Sequence, residues 1–329
     1  MAAREQKSFE EINRGYAHAF KSGRLSLGVV VPIENYANGT VPSMHSHLKR
    51  VQLVESLGFK AIWVRDVPLH VPSFGDAGQT YDPFTYLGYL AGQTTEIALG
   101  VASIALPLHH PLHVIKSAAT IDQLSDGRLI LGIASGDRPS EYPSMGFDYE
   151  NRGEKFRESY RYMRKAQESF PVLDSSYGAL DGKADVLPKA TAHKIPMLIT
   201  GHSQQDTRWV AEHGDGWMYY PRNLYMQSYN VSEWRDIVLS TSEYDKPFMQ
   251  PLYVDLHANA DHKPEYIHLG FRLGVHYLQE LLMKLQHIGV NHVAINLRFS
   301  VRRVETVLEE IAKEILPNFH TETDRTKTT

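Results

Sequence analysis

The stretch GVASIALPLHHPLHVIKSAATIDQLSDGRLILGIASGDRPSEYPSMG, residues 100–146, reads as strand, loop, helix, strand, loop. Each loop follows the C-terminal end of a strand, and in a parallel α/β protein such loops build the active site. The first carries Pro107, His109, His110 and Pro111; the second carries Ser135, Gly136, Asp137 and Arg138. The helix between them has a proline in its first turn, and its tail Leu124-Ser125-Asp126-Gly127-Arg128 turns directly into the next strand.

The same alternation extends both ways. Apolar, β-branched runs at 25–33, 59–64, 97–105, 129–134, 196–200, 216–220, 249–256 and 292–297 have the look of strands buried on both faces. Helical spacing falls at 45–57, 83–93, 111–124, 152–170, 203–213, 224–240, 274–288 and 301–315. Eight strand–helix repeats predict a closed (β/α)8 TIM barrel of α/β class over an open doubly wound sheet. No Gly-x-Gly-x-x-Gly follows the first strand, which weakens a dinucleotide-binding alternative. Two pieces break the repeat: an excursion at 171–194, punctuated by Gly178, Gly182 and Pro188, and a polar insertion near 259–264 before the last strand. Residues 1–24 read as an N-terminal extension, 25–318 as one barrel domain, and 319–329 as a disordered tail.

Bulk properties narrow the classes. The chain has 329 residues, 22% of them charged, a net charge of −4 and no cysteine. No basic field invites nucleic acid, and thiolate metal sites and cysteine nucleophiles are excluded. There is no secretory leader and no apolar run long enough for a membrane span, so the expectation is a cytoplasmic protein.

Several clusters carry possible chemistry. Thr200-Gly201-His202-Ser203-Gln204 follows the fifth strand and opens a helix, so its small residues and Ser hydroxyl suit an anion such as phosphate; a plain serine N-cap is the competing reading. Arg138, after Ser135-Gly136-Asp137, could pair with phosphate or face solvent. His109 and His110 are adjacent and lack a nearby carboxylate, so no metal is expected; His110 instead suits the cap of the helix starting at Pro111. Asp66, after the second strand, projects at the barrel mouth as an acid, base or acceptor, or pairs structurally with Arg65. Trp217, Met218, Tyr219 and Tyr220 could wall an apolar pocket or be core, as could Tyr81 and Phe84.

The runs GFKAIWVRD (58–66), LGVASIALPLHHPLHVIKSAATIDQLSDGRLILGIASGD (99–137) and GHSQQDTRWVAEHGDGW (201–217) together resemble the flavin-dependent luciferase-like monooxygenases. The resemblance implies a barrel that binds reduced FMN at its C-terminal mouth, with a non-prolyl cis peptide under the ring at Ala102–Ser103. The phosphate turn falls on His202-Ser203-Gln204, with Thr200 and Gly201 beside it. Ser135, Gly136, Asp137 and Tyr142 fall where relatives contact the cofactor. The sequence departs from bacterial luciferase where no His follows the second strand until His70, and where Ser135 stands in place of an Arg, with Arg138 the candidate substitute.

The implied activity is an FMN-dependent monooxygenase acting with O2 on a small organic substrate, its reduced flavin supplied by a separate reductase. The excursion at 171–194 would close the pocket. Asp66, His70, His109 and Tyr142 are candidates for proton handling. Relatives also imply a homodimer or homotetramer. The alternatives are a deazaflavin-dependent hydride-transfer enzyme and a non-catalytic flavin-binding homologue.

Overall fold

The computed structural model describes residues 7–39 and 41–319. Its centre is a closed ring of eight parallel strands: β1 Ser26–Val30, β2 Ala61–Val64, β3 Ala98–Ala105, β4 Leu129–Ala134, β5 Met197–Thr200, β6 Gly216–Met218, β7 Phe248–Leu256 and β8 His292–Asn296. Neighbours pair in chain order, and β8 closes on β1 from Ser26↔His292 to Val29↔Ile295. One principal helix follows each strand: α1 His47–Ser56, α2 Pro83–Ala91, α3 Pro111–Leu124, α4 Arg152–Ala166, α5 Thr207–His213, α6 Leu224–Thr241, α7 Val275–His287 and α8 Val304–Glu314. The chain forms the expected (β/α)8 barrel.

The strands are apolar on both faces because both are covered. Alternate residues point into the barrel, so Ala61, Trp63, Ala98, Ile130, Leu198, Met218, Met249 and Ala294 share one inner core. The residues between them, such as Ile62, Val64, Leu99, Leu131, Val293 and Ile295, pack outward against the helices. The turn after β3 is fixed by its sequence. Pro111 opens α3, and the His110 Nδ1 accepts the Leu112 amide at 3.2 Å, the capping role expected of His110.

The N-terminal extension closes the barrel from below. A short helix, Arg14–Ala19, is capped by the Asn13 side chain and places Phe9, Ile12, Tyr16 and Phe20 in the inner core. Gly15 makes this approach possible: a Cβ there would lie 2.3 Å from the Arg128 carbonyl oxygen.

The two insertions differ. Residues 171–194 hold a small hairpin, Val172–Leu173 with Leu180–Asp181. They are fastened to the outer faces of α3 and α4: Lys116 donates to the Leu187 carbonyl, Tyr177 packs on Tyr162, and Thr191 donates twice to Asp122 at 2.7 and 2.8 Å. The insertion after β7 forms Glu265–Ile267 and Gly270–Leu273, the latter extending the sheet beside the end of β7. Phe319, placed in the expected tail, is buried in the outer core; residues 320–329 lie outside the described residues. Among the described residues no helix is long and apolar enough to cross a membrane.

Candidate active site

The inward face of the strands continues above the core into a cavity of about 700 Å³ at the C-terminal mouth. Val30, Ala102, Thr200, Met218, Met249, Pro251, Tyr253, Ala294 and Asn296 line it from the strands. Phe74, Gly75 and Asp76 cover it from the loop after β2, His268 and Leu269 from the insertion after β7, and Phe299 from the loop after β8. No residue of 171–194 contributes, so the excursion is not the cover expected of it. It clasps the helices that lie outside the ring.

The Ala102–Ser103 peptide is cis, and the β3–β4 register shifts between Val101 and Ile104. Ala102 presents only a methyl group to the cavity, leaving backbone within reach of a flat ligand. The Ser103 hydroxyl bonds the Thr200 hydroxyl, and Thr200 Oγ1 donates to Met218 Sδ at 3.2 Å, tying the ends of β3, β5 and β6 together.

Beside this floor the chain turns tightly. Gly201, Ser203 and Gln204 all have left-handed φ, at 54°, 49° and 62°. The helix expected to open at Ser203 starts four residues later, at Thr207. Asp206 caps it, accepting the Trp209 amide at 2.7 Å, while the Ser203 hydroxyl donates to the Thr200 carbonyl. Ser203 is therefore neither an N-cap nor part of a helix end, and any anion recognition here belongs to the turn itself. Successive backbone N–H groups in a turn can form a concave, anion-accepting surface; here the Gly201 amide is already given to the Met218 carbonyl at 2.8 Å and the Gln205 amide to the His202 carbonyl at 2.9 Å. Trp217 braces the turn by donating to the Gly201 carbonyl at 2.6 Å, and exposed His202 lies edge-on to Trp217 and Tyr219.

The turn also meets the start of α4. Gln205 donates to the Gly153 carbonyl, and a Cβ on Gly153 would lie 2.7 Å from the Gln204 Cβ. Next to it, Arg152 lies over the Tyr149 ring and has a buried Nε with no partner among the described residues. The sequence reading missed Arg152. A basic residue at the opening of a helix carries no period or motif, and only the fold brings the start of α4 against the turn.

Three residues expected at the site stand outside the cavity lining. Tyr142 is fully buried and its hydroxyl donates to the Ser135 carbonyl. It shapes the Ser135–Gly136 turn from behind and offers no surface to a cofactor. Burial pushes its hydroxyl pKa up, against a role in proton transfer. Asp137 is exposed. Arg138 neither faces solvent nor reaches the turn at 201–204: it is buried, stacked on Phe74, and donates to the Asp76 carbonyl at 3.0 Å.

Asp66 does not project into the mouth. Trp63 points inward, so Arg65 does too, and Asp66 takes the outward direction. Its carboxylate accepts the Ala105 amide at 3.1 Å and bonds His109 Nε2 at 2.7 Å, and neither member of that pair lines the cavity. Burial works to lower the His109 pKa, but the hydrogen bond and charge of Asp66 outweigh it and the net shift is upward. The pair joins the ends of β2 and β3. His70 is exposed, outside the cavity lining.

The cavity instead receives Arg65 and, from the loop after β8, Arg298. Both pair with Asp76, at 2.9 and 3.3 Å. Burial opposes the Asp76 charge, but the two guanidinium groups and the Gly78 amide overcome it and hold its pKa below the usual carboxylate range. Met218, Tyr219 and Tyr220 line the cavity; Trp217 points outward into the core. Tyr81 and Phe84 lie outside the lining: Tyr81 sits edge-on to His47, and Phe84 packs on the outer core.

The family model for luciferase-like monooxygenases matches residues 25–237. The chain belongs to that family. An alkanal monooxygenase alpha chain from Photorhabdus luminescens is 28% identical over 169 residues, 51% of this chain and 45% of that one. A beta chain from the same organism is 30% identical over 190 residues, 55% of each. The matched region thus spans about half of these alkanal monooxygenase chains. An uncharacterized Mycobacterium tuberculosis protein is 30% identical over 189 residues, 53% of this chain and 67% of its own. Two solved structures share the fold. An "F420-dependent secondary alcohol dehydrogenase in complex with an F420-acetone adduct" superposes with TM-score 0.74 at 15% identity, over 91% of this chain and 100% of that one. The FMN complex of the oxygenating constituent of 3,6-diketocamphane monooxygenase from Pseudomonas putida gives 0.68 at 13% identity, over 90% and 99%. Membership of the luciferase-like monooxygenases makes this chain a member of an oxidoreductase family.

Proposed function

We propose that this luciferase-like chain binds reduced FMN at the barrel mouth and uses it with O2 to oxygenate a small organic substrate. One observation carries the reading: a 700 Å³ cavity whose floor is Ala102, beside the left-handed turn at Gly201–Gln204. A flat tricyclic ring needs bare backbone beneath it, and a phosphate needs gathered amides and a cation. Ala102 suits the first requirement; the turn suits the second, and Arg152, whose Nε has no partner among the described residues, opens the helix packed against it. When bound, the reduced flavin supplies the two electrons that let one atom of O2 enter the substrate and the other leave as water. The protein's part is to orient and exclude. Tyr219, Tyr253 and Phe299 wall the space above the floor against water. His268 is the imidazole in the cavity lining, and it rather than His109 is placed to exchange a proton with a bound substrate.

The experiment is titration of FMN, riboflavin and a deazaflavin, followed by oxygen uptake with a flavin reductase present. FMN is expected to bind and to support substrate-dependent oxygen uptake. Arg152→Gln is expected to weaken FMN by roughly ten- to hundredfold, the range of one hydrogen bond to a charged group, with riboflavin unchanged. Binding of the deazaflavin alone would move the activity to hydride transfer. FMN binding without substrate-dependent product across a broad panel would leave a binding protein.

A further inference from the structure

The wall opposite the phosphate turn holds more positive charge than its carboxylate neutralises. Arg65 Nη1 and Arg298 Nη1 share one oxygen, Oδ2 of Asp76. The charged side chains lining the cavity are Arg65, Arg222 and Arg298 against Asp76 alone. Arg298 is 8% exposed, and the Nε atoms of both Arg65 and Arg298 are buried without a partner among the described residues. Buried donors left unmade are costly, and a guanidinium edge fits a planar oxyanion. Arg65 follows β2 and Arg298 follows β8. They flank β1 and stand across the ring from β5 and its turn. Tyr253 and Phe299 flank them with aromatic surface.

We propose that this wall is the substrate's anion site, and that the substrate is an organic carboxylate or sulfonate with an apolar body. The oxyanion pairs with Arg65 and Arg298, and its apolar part lies against Tyr253 and Phe299, over the floor. Arg222, exposed at the rim over the Tyr219 ring, draws the anion inward. This deepens the flavin reading by naming the substrate class of the same cavity.

Calorimetric titration tests it with two matched pairs, benzoate against benzamide and hexanesulfonate against hexanol, on the protein alone and on the FMN-loaded protein. Each anion is expected to bind at least tenfold more tightly than its neutral counterpart. Arg298→Gln is expected to reduce that preference tenfold or more while the preference for FMN over riboflavin stays unchanged. Should that variant fail to fold, Arg222→Gln at the exposed rim carries the same comparison with a smaller expected loss. Equal affinities for anion and neutral partner would overturn the proposal. So would a loss of FMN's advantage over riboflavin in either variant with anion binding intact, which would make the wall a cofactor phosphate site. Anion preference in a protein that binds no flavin would sink the flavin reading and leave this one standing.

Discussion

His292 holds its ring in one tautomer through a chain of buried hydrogen bonds. Trp63 Nε1 donates to His292 Nε2 at 2.9 Å, so the proton sits on Nδ1 and is given to Ser26 Oγ at 2.6 Å, which in turn donates to the Ala19 carbonyl. A second proton on Nε2 would face the indole N–H, and burial pushes the pKa down to about 3. The folded value lies below the unfolded one, near 6.5, so the unfolded chain takes up a proton that the folded chain refuses. This group's contribution is complete above pH 6.5 and is lost as the pH falls towards 3, at up to about 1.4 kcal/mol per unit. Urea midpoints measured from pH 7 to pH 4 are expected to fall more steeply for the natural protein than for His292→Gln. Parallel curves would refute the assignment.

At the scale of the elements, β2 and β3 fit because a large side chain on one meets none on the other. A Cβ on Gly100 would lie 2.2 Å from Trp63 Cε3, and the indole is tethered by His292. Gly100→Ala is therefore expected to cost about 1–3 kcal/mol or more, seen as a lowered denaturation midpoint. Gly88→Ala, in α2 with open space around it, is expected to gain about 0.5–1 kcal/mol in the same assay. The α3–β4 junction is a second case. Its motif, Asp122-Gln123-Leu124-Ser125-Asp126-Gly127-Arg128, carries much of the family resemblance, yet it builds the frame. All Arg128 nitrogens are engaged, with Ser125, Thr94, Ile97 and Ala91, and Asp122 fastens Asn13 and Thr191. A motif this recognisable identifies the fold and lies below the ring, away from the cavity.

For the whole molecule, the barrel holds a cavity at one end and is closed at the other by its N-terminal segment. Phe9, Ile12, Tyr16 and Phe20 are each at most 9% exposed. Burying four such side chains is worth on the order of 6–12 kcal/mol, comparable to the net stability of a typical domain. A chain lacking residues 1–20 is expected to lose cooperative unfolding and to bind a hydrophobic dye, checked by circular dichroism and dye fluorescence. A cooperatively folded truncated chain would show that the plug is dispensable.

The sequence by itself determined the ring, because eight apolar runs with turn residues between them can bury both faces only in a covered parallel sheet. It located the cis bond at Ala102–Ser103 through the resemblance, and the turn at 200–204 through its small residues after β5. It also contained the alternation that sends Arg65 inward and Asp66 outward, which shows in the inward Ala61 and Trp63 two residues apart. An aspartate at the end of a strand suggests the mouth by its chemistry, but its parity sends Asp66 outward to Ala105 and His109. Only the tertiary structure decided the rest. Arg65, Asp76 and Arg298 are separated by up to 233 positions along the chain, and no local pattern links them. Tyr142 looks like a site residue until packing buries it, and the excursion at 171–194 looks like a cover until Asp122 is seen to hold it outside the ring. Local periodicity fixes which face a residue takes, but which charges meet across the mouth depends on ring closure, and closure is a property of all eight strands together.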